Sequence, residues 1–541
     1  MGKAHNISAK KYLGAIGTGL LLTASFPNPG FPLLAWFALV PLMAAVRDVS
    51  PFNSFRLGCL CGMIHFITLL YWFIPCLKTY GMIPLYLSLA ILFLVAAYLS
   101  LFIAGFATAL TWICRDAKML AVAAPLLWVS GEYVRAHLFT GFPWELLGYS
   151  QYRTLPLIQI ADTLGVYGVS GLIVLGNSVL LSLYLFLFKK KWHTHILLAK
   201  PALASLAVFV IILAAVWGYG MWRIGTIRET ATDAPFRKIS VIQGNIGQQM
   251  KWDPAFQLAT IDRYLTLSRQ EVETHPDLIV WPETAMPFYF GHNVPLTNRV
   301  LKGLHDTGTD YIIGSPAFVR LETAVEYRNR AFLLSAAGGN ITDIYDKAHL
   351  VPFGEYVPFK KWLPFIGKLV EQVGDFSAGR KGDTLDWGDH RIGLLICYEL
   401  IFPYLSRENT RNGADLLINI TNDAWYGRTS APYQHFSMAV FRAVENRRSL
   451  VRSANTGISG FIEPTGKIIA AAPIFEEAAF TESIPLMRTS TIYTRFGDWF
   501  SLICVIVSVV GIAGQTVKRR RRRLPHVTRT KADPQKSRTK T

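Results

Sequence analysis

The chain has 541 residues, 51% of them hydrophobic, and carries 54 Lys and Arg against 36 Asp and Glu, a formal charge of +18. So apolar a composition excludes a single soluble enzyme of this size, and lipid is the expected solvent for part of the chain. The charge does not point to nucleic acid, because much of it lies in short patches such as Lys189–Lys191 and Lys518–Arg523, each beside an apolar run, where it acts on membrane topology.

Eight apolar stretches stand out, at 12–27, 31–46, 57–77, 84–113, 119–137, 164–188, 199–222 and 498–517, most near the ~20 residues that cross a bilayer. They predict an eight-helix transmembrane bundle, seven members within 1–222 and the last at 498–517. The fourth is longer than a ~30 Å hydrocarbon core requires and predicts tilt, protrusion or a kink near Gly105. Lys3, Lys10 and Lys11 before the first run, with Thr23–Ser25 after it, have the look of a signal peptide, but the spans downstream favour a retained first helix.

With the N-terminus inside, every inner segment is basic: Arg47 and Arg56, then Arg115 and Lys118, then Lys189–Lys191 and Lys200, then the C-terminal arginines. The outer connection 28–30 has no cation and 78–83 has only Lys78, so residues 223–497 fall outside the cytoplasm with both termini inside. The basic tail 518–541 is expected to be disordered.

Within 223–497 the pattern changes to short β-rich runs, at 238–243, 277–283, 310–316, 330–336, 391–397 and 414–420. Helical segments at 254–274 and 434–447 separate or follow them, the second with Phe436, Val440, Ala443 and Val444 on one face. This is a layered α/β domain. Five of the six cysteines lie in or at the ends of spans, leaving Cys397 as the only thiol of this segment. A solitary thiol in an oxidising compartment is either buried and inert or reactive.

Glu283 and Lys347 also stand at strand ends, and strand ends in α/β domains converge on clefts. A thiol needs help to ionise. Glu283, in an apolar pocket beside Trp281, would be a carboxyl of raised pKa able to take the proton, and Lys347 would stabilise an oxyanion. Spacing alone leaves the structural alternative open, with Glu283 capping a strand and Lys347 paired with Asp346 or Glu355.

The segments WPETAMP (281–287), YDKAHLVPFGEYVP (345–358), LLICYE (394–399) and TNDAWYG (421–427) resemble the Glu-Lys-Cys signature of the nitrilase superfamily, in the version carried by bacterial apolipoprotein N-acyltransferases. The apolar N-terminal part and FTGFPWELLGYSQ (139–151) are similar to that family too. The resemblance implies a nitrilase-like α-β-β-α sandwich on the outer face of a bacterial inner membrane. It makes Glu283 the general base, Lys347 the oxyanion cation and Cys397 the nucleophile. Glu355 becomes a second carboxylate near the lysine, and Tyr398 and Glu399 shape the nucleophile's turn. Trp252, Trp425 and Trp144 become residues of substrate handling; Tyr426 departs from the Phe expected after Trp425. The implied partners are a phospholipid acyl donor and diacylglyceryl-modified lipoproteins, with no cofactor, no metal and no nucleic acid.

Three rival readings carry less. A Cys-His hydrolase would use His349, His390 or His435; a transporter would need ionisable residues inside its spans, where Glu132 and Arg135 are the main candidates; a membrane-anchored amidase would share every triad residue. No His, Cys and Asp cluster has the spacing of a zinc site.

Overall fold

The computed structural model describes residues 7–322, 324–336, 340–357 and 375–523, so the basic tail beyond 523 lies outside the described residues. The N-terminal part is helical: α1 (Ala9–Ala24), α2 (Val40–Val46), α3 (Pro51–Leu69), α4 (Leu85–Ile113), α5 (Leu120–His137), α6 (Ala161–Leu187) and α7 (Ala199–Thr232). Among the described helices five are long and apolar enough to cross a membrane: α3, α4, α6, α7 and the C-terminal Trp499–Arg521.

The other three expected stretches fall short for local reasons. α1 has 16 residues, about 24 Å at ~1.5 Å per residue. The second stretch breaks into a 3-10 turn, Pro32–Trp36, and the seven-residue α2. α5 carries Pro125 inside and buries Glu132 and Arg135, which lower its hydropathy. α3 starts earlier than its apolar run, because Ser50 caps it through the Asn53 amide at 3.2 Å and Pro51 suits the first helical position. α4 continues as one 29-residue helix through Gly105, so of the three alternatives the kink does not occur. α6 bends instead at Gly165, whose φ of +65° and approach to Tyr493, 2.9 Å from where a Cβ would stand, admit only glycine.

The next 250 or so residues build two six-stranded sheets. The first uses β1 (Phe236–Gln243), β2 (Leu278–Val280), β3 (Asp310–Arg320), β4 (Val325–Leu334), β5 (Ile341–Asp346) and, at its other edge beside β1, β12 (Ala478–Pro485). The second runs in the order β11 (Ile468–Ala471), β10 (Gly460–Ile462), β9 (Ser449–Ala454), β8 (Leu416–Thr421), β7 (His390–Ile396) and β6 (Thr384–Trp387). β1, β2 and β3 are parallel, as are β7, β8 and β9.

Strand alternation sorts the core. Ile239 and Val241 of one sheet and Ile392, Leu394 and Ile396 of the other share one apolar cluster between the sheets. Ile242 and Trp281 face α8 (Gln257–Glu271) and α9 (Val294–His305) on the outside of the first sheet. Leu395 and Leu417 face the opposite way, into a cluster shared by α11 (Ala431–Asn446) and the membrane helices. This is an α-β-β-α sandwich whose second helical layer is continuous with the helical bundle. Between β7 and β8 lies α10 (Pro403–Arg411), and α12 (Ile492–Phe496) precedes α13 (Trp499–Arg523).

Candidate active site

β7 is apolar to its last residue and then delivers Cys397, which has a φ of +53°. A non-glycine residue in the left-handed region costs roughly 1–2 kcal/mol, so the surroundings must hold it there. Glu399 does this. Its Oε2 accepts from the Ile396 amide at 2.7 Å, and its Oε1 accepts from the Ala348 and His349 amides at 2.6 and 2.9 Å. The Tyr345 hydroxyl donates to both oxygens. One carboxylate thus ties the cysteine's turn to the backbone that follows Lys347. Burial raises its pKa to about 7, against the pull of those amides and of Lys347.

Lys347 follows β5 directly and is 1% exposed. Its Nζ donates to Glu355 Oε1 at 2.9 Å and to Glu283 Oε1 at 3.4 Å. Asn329 Nδ2 bridges the same two oxygens, at 2.8 Å to Glu283 and 3.0 Å to Glu355. The Asn422 amide donates to Glu283 Oε2 at 2.9 Å and the Val351 amide to Glu355 Oε2 at 2.8 Å. Glu283 therefore sits among polar donors rather than in the apolar pocket expected from its neighbours, because Trp281 turns away to stack on Tyr264 and donate to Ser268. Of the structural alternative, the pairing of Lys347 with Asp346 does not occur, since Asp346 pairs with Arg330, while the pairing with Glu355 does, part-buried rather than at the surface.

Burial pushes the Cys397 thiol up, the Glu283 carboxylate adds to the rise, and Lys347 opposes it. At rest the sulfur is a neutral thiol. Burial also disfavours the Lys347 ammonium, but Glu355 and Glu283 outweigh it and hold the group charged, well above the ordinary lysine range. A neutral thiol, a carboxylate and a fixed ammonium converge at the strand ends.

The turn Asp423–Tyr426 lies beside this group. Burial would raise Asp423, but His435 and Arg452 hold it below the usual carboxylate range, and its charge bears on Cys397. Trp425 is partly buried with its ring edge-on to Tyr80, and Tyr80 donates to the Ala424 carbonyl at 2.9 Å. Tyr426 packs on Trp72 and Trp144, at 4.9 and 5.9 Å between centroids, so the residue that departs from the expected Phe is seated on tryptophan rings. Trp144 is buried and donates to Gln434 Oε1 at 2.8 Å, which places it in the wall behind Tyr426. Trp252 stands partly exposed at the end of the turn Gln248–Lys251, and Tyr398 packs on Phe402 and His349.

Among the rivals, His349 binds the Tyr404 hydroxyl and His390 binds Asp415. His435 binds Asp423 at 3.1 Å in the layer behind the cysteine. Glu132 accepts from the Leu147 amide at 2.7 Å and from Trp128 Nε1 at 2.9 Å, and Arg135 donates to the Glu145 carbonyl. That pair props the loop carrying Trp144. Three residues of the site have no local signal in the sequence, Asn329, Trp72 and Lys251, while Asn422 lies inside TNDAWYG without a role of its own being read there. Lys251 reads as a surface lysine in QQMKWD, yet it is 1% exposed.

Two family descriptions match the chain: "Apolipoprotein N-acyltransferase N-terminal domain" over residues 18–179 and "Carbon-nitrogen hydrolase" over 238–493. An apolipoprotein N-acyltransferase of Geobacter metallireducens is 46% identical over 506 residues, 93% of this chain and 95% of the relative. One of Methylococcus capsulatus is 32% identical over 519 residues, covering 95% and 97%. Among solved structures, an amidase from Nesterenkonia sp. AN1 aligns with 48% of this chain and 94% of its own, at 19% identity and a TM-score of 0.35.

Proposed function

Because this chain belongs to the apolipoprotein N-acyltransferase family, we propose that the cluster around Cys397 moves an acyl chain from a glycerophospholipid to the α-amino group of a lipoprotein's diacylglyceryl-cysteine. The protein is an N-acyltransferase acting in lipoprotein maturation. In the first half-reaction Glu283 takes the thiol proton while the sulfur bonds to the ester carbonyl carbon and the carbonyl electron pair moves to oxygen, facing Lys347. Collapse breaks the ester C–O bond, and the lysophospholipid oxygen takes the proton back from Glu283. In the second half the neutral α-amine attacks the thioester, Glu283 takes an N–H proton, and the departing sulfur recovers it. An α-amino group, with a pKa of ~7.7–8.0, is partly neutral near pH 7, which a lysine amine is not.

The observation that carries these roles is the fixed lysine between two carboxylates at the end of the strand that presents a neutral thiol. Glu355 holds the lysine, Glu399 holds the turn, and the Trp425 turn with Trp252 and Trp144 forms the substrate side of the site. We read α1, the 31–46 segment and α5 as three further bundle members, making eight. The sandwich then lies on the outer face of the membrane and both termini lie inside, as the basic inner segments favour. A membrane-anchored amidase is disfavoured by the match of the acyltransferase N-terminal family over 18–179.

The test is mass spectrometry of the full-length protein after incubation with phospholipid alone. An acyl adduct on Cys397 is expected, and Cys397→Ser, whose hydroxyl Glu283 cannot readily deprotonate, should lower its formation on the order of 10⁴-fold. Wild-type protein that releases lysophospholipid through many turnovers with no acceptor present would make it a lipid hydrolase instead.

A further inference from the structure

Lys251 ends the four-residue turn Gln248–Lys251 that follows β1. Its Nζ donates to the backbone carbonyl of Glu283 at 3.2 Å, and the side chain is closed off from solvent. An ammonium has three N–H donors, and burying one beside a neutral carbonyl is costly unless an opposite charge lies near it. The titratable groups whose charges bear on it are the Glu283 carboxylate, after β2, and the Cys397 thiol, after β7. On its own turn Gln248 is engaged with Asn422 Nδ2 at 2.7 Å, and Asp253 is exposed and caps the Ala255 amide.

The hydrogen-bonded trio of Glu283, Lys347 and Glu355 carries two negative charges against one positive. When the thiol proton passes to Glu283 and the sulfur–carbon bond forms, the trio becomes neutral, and the site's net charge is unchanged only because the new oxyanion carries the missing negative. The negative charge moves from a carboxylate with its own donors to a new carbonyl oxyanion. Lys347 already serves two carboxylates. We propose that Lys251, as an ammonium, is a second cation of the acyl-transfer site and stabilises the negative charge that builds at the acyl carbonyl as Cys397 attacks. This rests on the acyl-transfer reading above. Lys251 gives up no proton in the step; it acts by charge. Burial lowers its pKa to about 8, with Glu283 and Cys397 opposing the fall, so the ammonium persists through neutral pH and is lost above it.

The experiment follows the acylation half-reaction of the full-length enzyme, with labelled phospholipid and no acceptor, by the thioester on Cys397 between pH 6 and 10. Wild type should slow as pH rises through about 8. Lys251→Met should be roughly 100-fold slower at pH 7 and lack that alkaline limb. Lys251→Arg should keep most of the rate and carry the limb beyond pH 10, since a guanidinium stays charged there. A wild-type profile without the limb, a Lys251→Met enzyme that keeps it, or a folded Lys251→Arg enzyme no faster than Lys251→Met would each overturn the proposal. So would a loss of melting temperature in Lys251→Met with an unchanged profile, because that is a packing role. Alkylation of Cys397 by iodoacetamide needs no lipid and builds no carbonyl oxyanion, so Lys251→Met should leave its rate within a few-fold of wild type. If wild type forms no thioester with phospholipid while its Cys397 is still alkylated, the acyl-transfer reading fails; if alkylation in Lys251→Met slows as much as acylation does, the lysine acts on the thiol and the cation at the carbonyl is overturned.

Discussion

Around Lys347 the carboxylate oxygens of Glu283, Glu355 and Glu399 all have donors, from Lys347, Asn329, Tyr345 and the amides of Val351, Ile396, Ala348, His349 and Asn422. Around Arg135 the wiring is looser. Glu145 Oε2 and Arg135 Nη1 find no partner among the described residues, although both groups are buried. Both clusters bury charge, and they differ in how completely geometry is prescribed. With every carboxylate oxygen held the arrangement is narrow, although Asn329 Oδ1 finds no partner among the described residues, and its charges are already oriented when negative charge develops on substrate. A network with spare capacity holds position by packing, and Arg135 accordingly lies over the Phe66 ring, 5.4 Å from its centroid. On the proposed reading the first cluster serves rate, and the second holds a loop in place.

The sharpest way to break that contrast is Glu399→Gln. Glutamine keeps the shape but has one acceptor oxygen for donors that now reach both, so the cysteine turn and the backbone after Lys347 lose their common tie. Acylation should fall on the order of 10²- to 10³-fold. The pH dependence has a defined sign. The folded pKa of Glu399, about 7, lies above its unfolded value. This group's contribution to stability is therefore fully present below the unfolded pKa and lost as pH rises through about 7. The charged form that clamps the turn is lost in the opposite direction. Lowering pH through 7 should slow wild-type acylation while the stability difference between wild type and Glu399→Gln moves in favour of wild type. A pH-independent stability difference, or acylation in Glu399→Gln within a few-fold of wild type, would show that the saturated wiring is not what positions Cys397.

A smaller effect on rate and a larger one on folding are expected from Arg135→Leu. Removing this guanidinium strips the buried Glu132 and Glu145 of their nearby positive charge, and loss of one member of a buried charged group typically costs about 3–5 kcal/mol. The melting temperature should drop clearly, whereas acylation at a temperature where the variant is folded should fall no more than about tenfold, because Arg135 reaches the site only through the loop carrying Trp144. Unchanged stability with a 100-fold loss of rate would put Arg135 in the chemistry and erase the distinction.

What the sequence disclosed follows the same division. Cys397 was legible because an apolar β-branched run stops on it, and Glu283, Lys347 and Glu355 because their motifs are contiguous and chemically unusual. The strands at 238–243, 391–397 and 414–420 carry their burial in their composition, and they appear as β1, β7 and β8. Hidden were residues whose role exists only across the fold. Asn329 is one polar position in the middle of a strand, and Lys251 is a lysine in a polar segment; each becomes part of the site through a partner 46 or 32 residues away. Trp144 was legible only through the 139–151 resemblance, because its hydrogen-bond partner, Gln434, is 290 residues distant. At 31–46 the apolar composition hides a break into a 3-10 turn and a short helix, and β6 and β9 to β12 were missed because their runs are short or mixed.

The last and smallest effect concerns the edge where the two regions meet. The segment after α3 reaches the catalytic domain through Tyr71, whose hydroxyl accepts from the Ser430 amide, through Tyr80 on the Ala424 carbonyl, and through the Tyr80–Trp425 ring pair at 5.2 Å. Between those contacts runs the turn whose Asp423 and Tyr426 electrostatically sense Cys397. A thioester waiting for a lipid-anchored amine must be kept from water, and a partly buried aromatic ring at this seam excludes water without adding a charge to the network. Trp425→Ala leaves every hydrogen bond around Lys347 in place and removes only the ring. Acylation should stay within about threefold of wild type, while the fraction of thioester lost to hydrolysis rises several-fold. The measurement is a single-turnover assay with labelled phospholipid, with and without a diacylglyceryl peptide, counting lysophospholipid against N-acyl product. If hydrolysis without acceptor is unchanged, water is excluded by the buried wall of Trp72, Trp144 and Tyr426, and the seam is a joint between regions rather than a cover for the thioester.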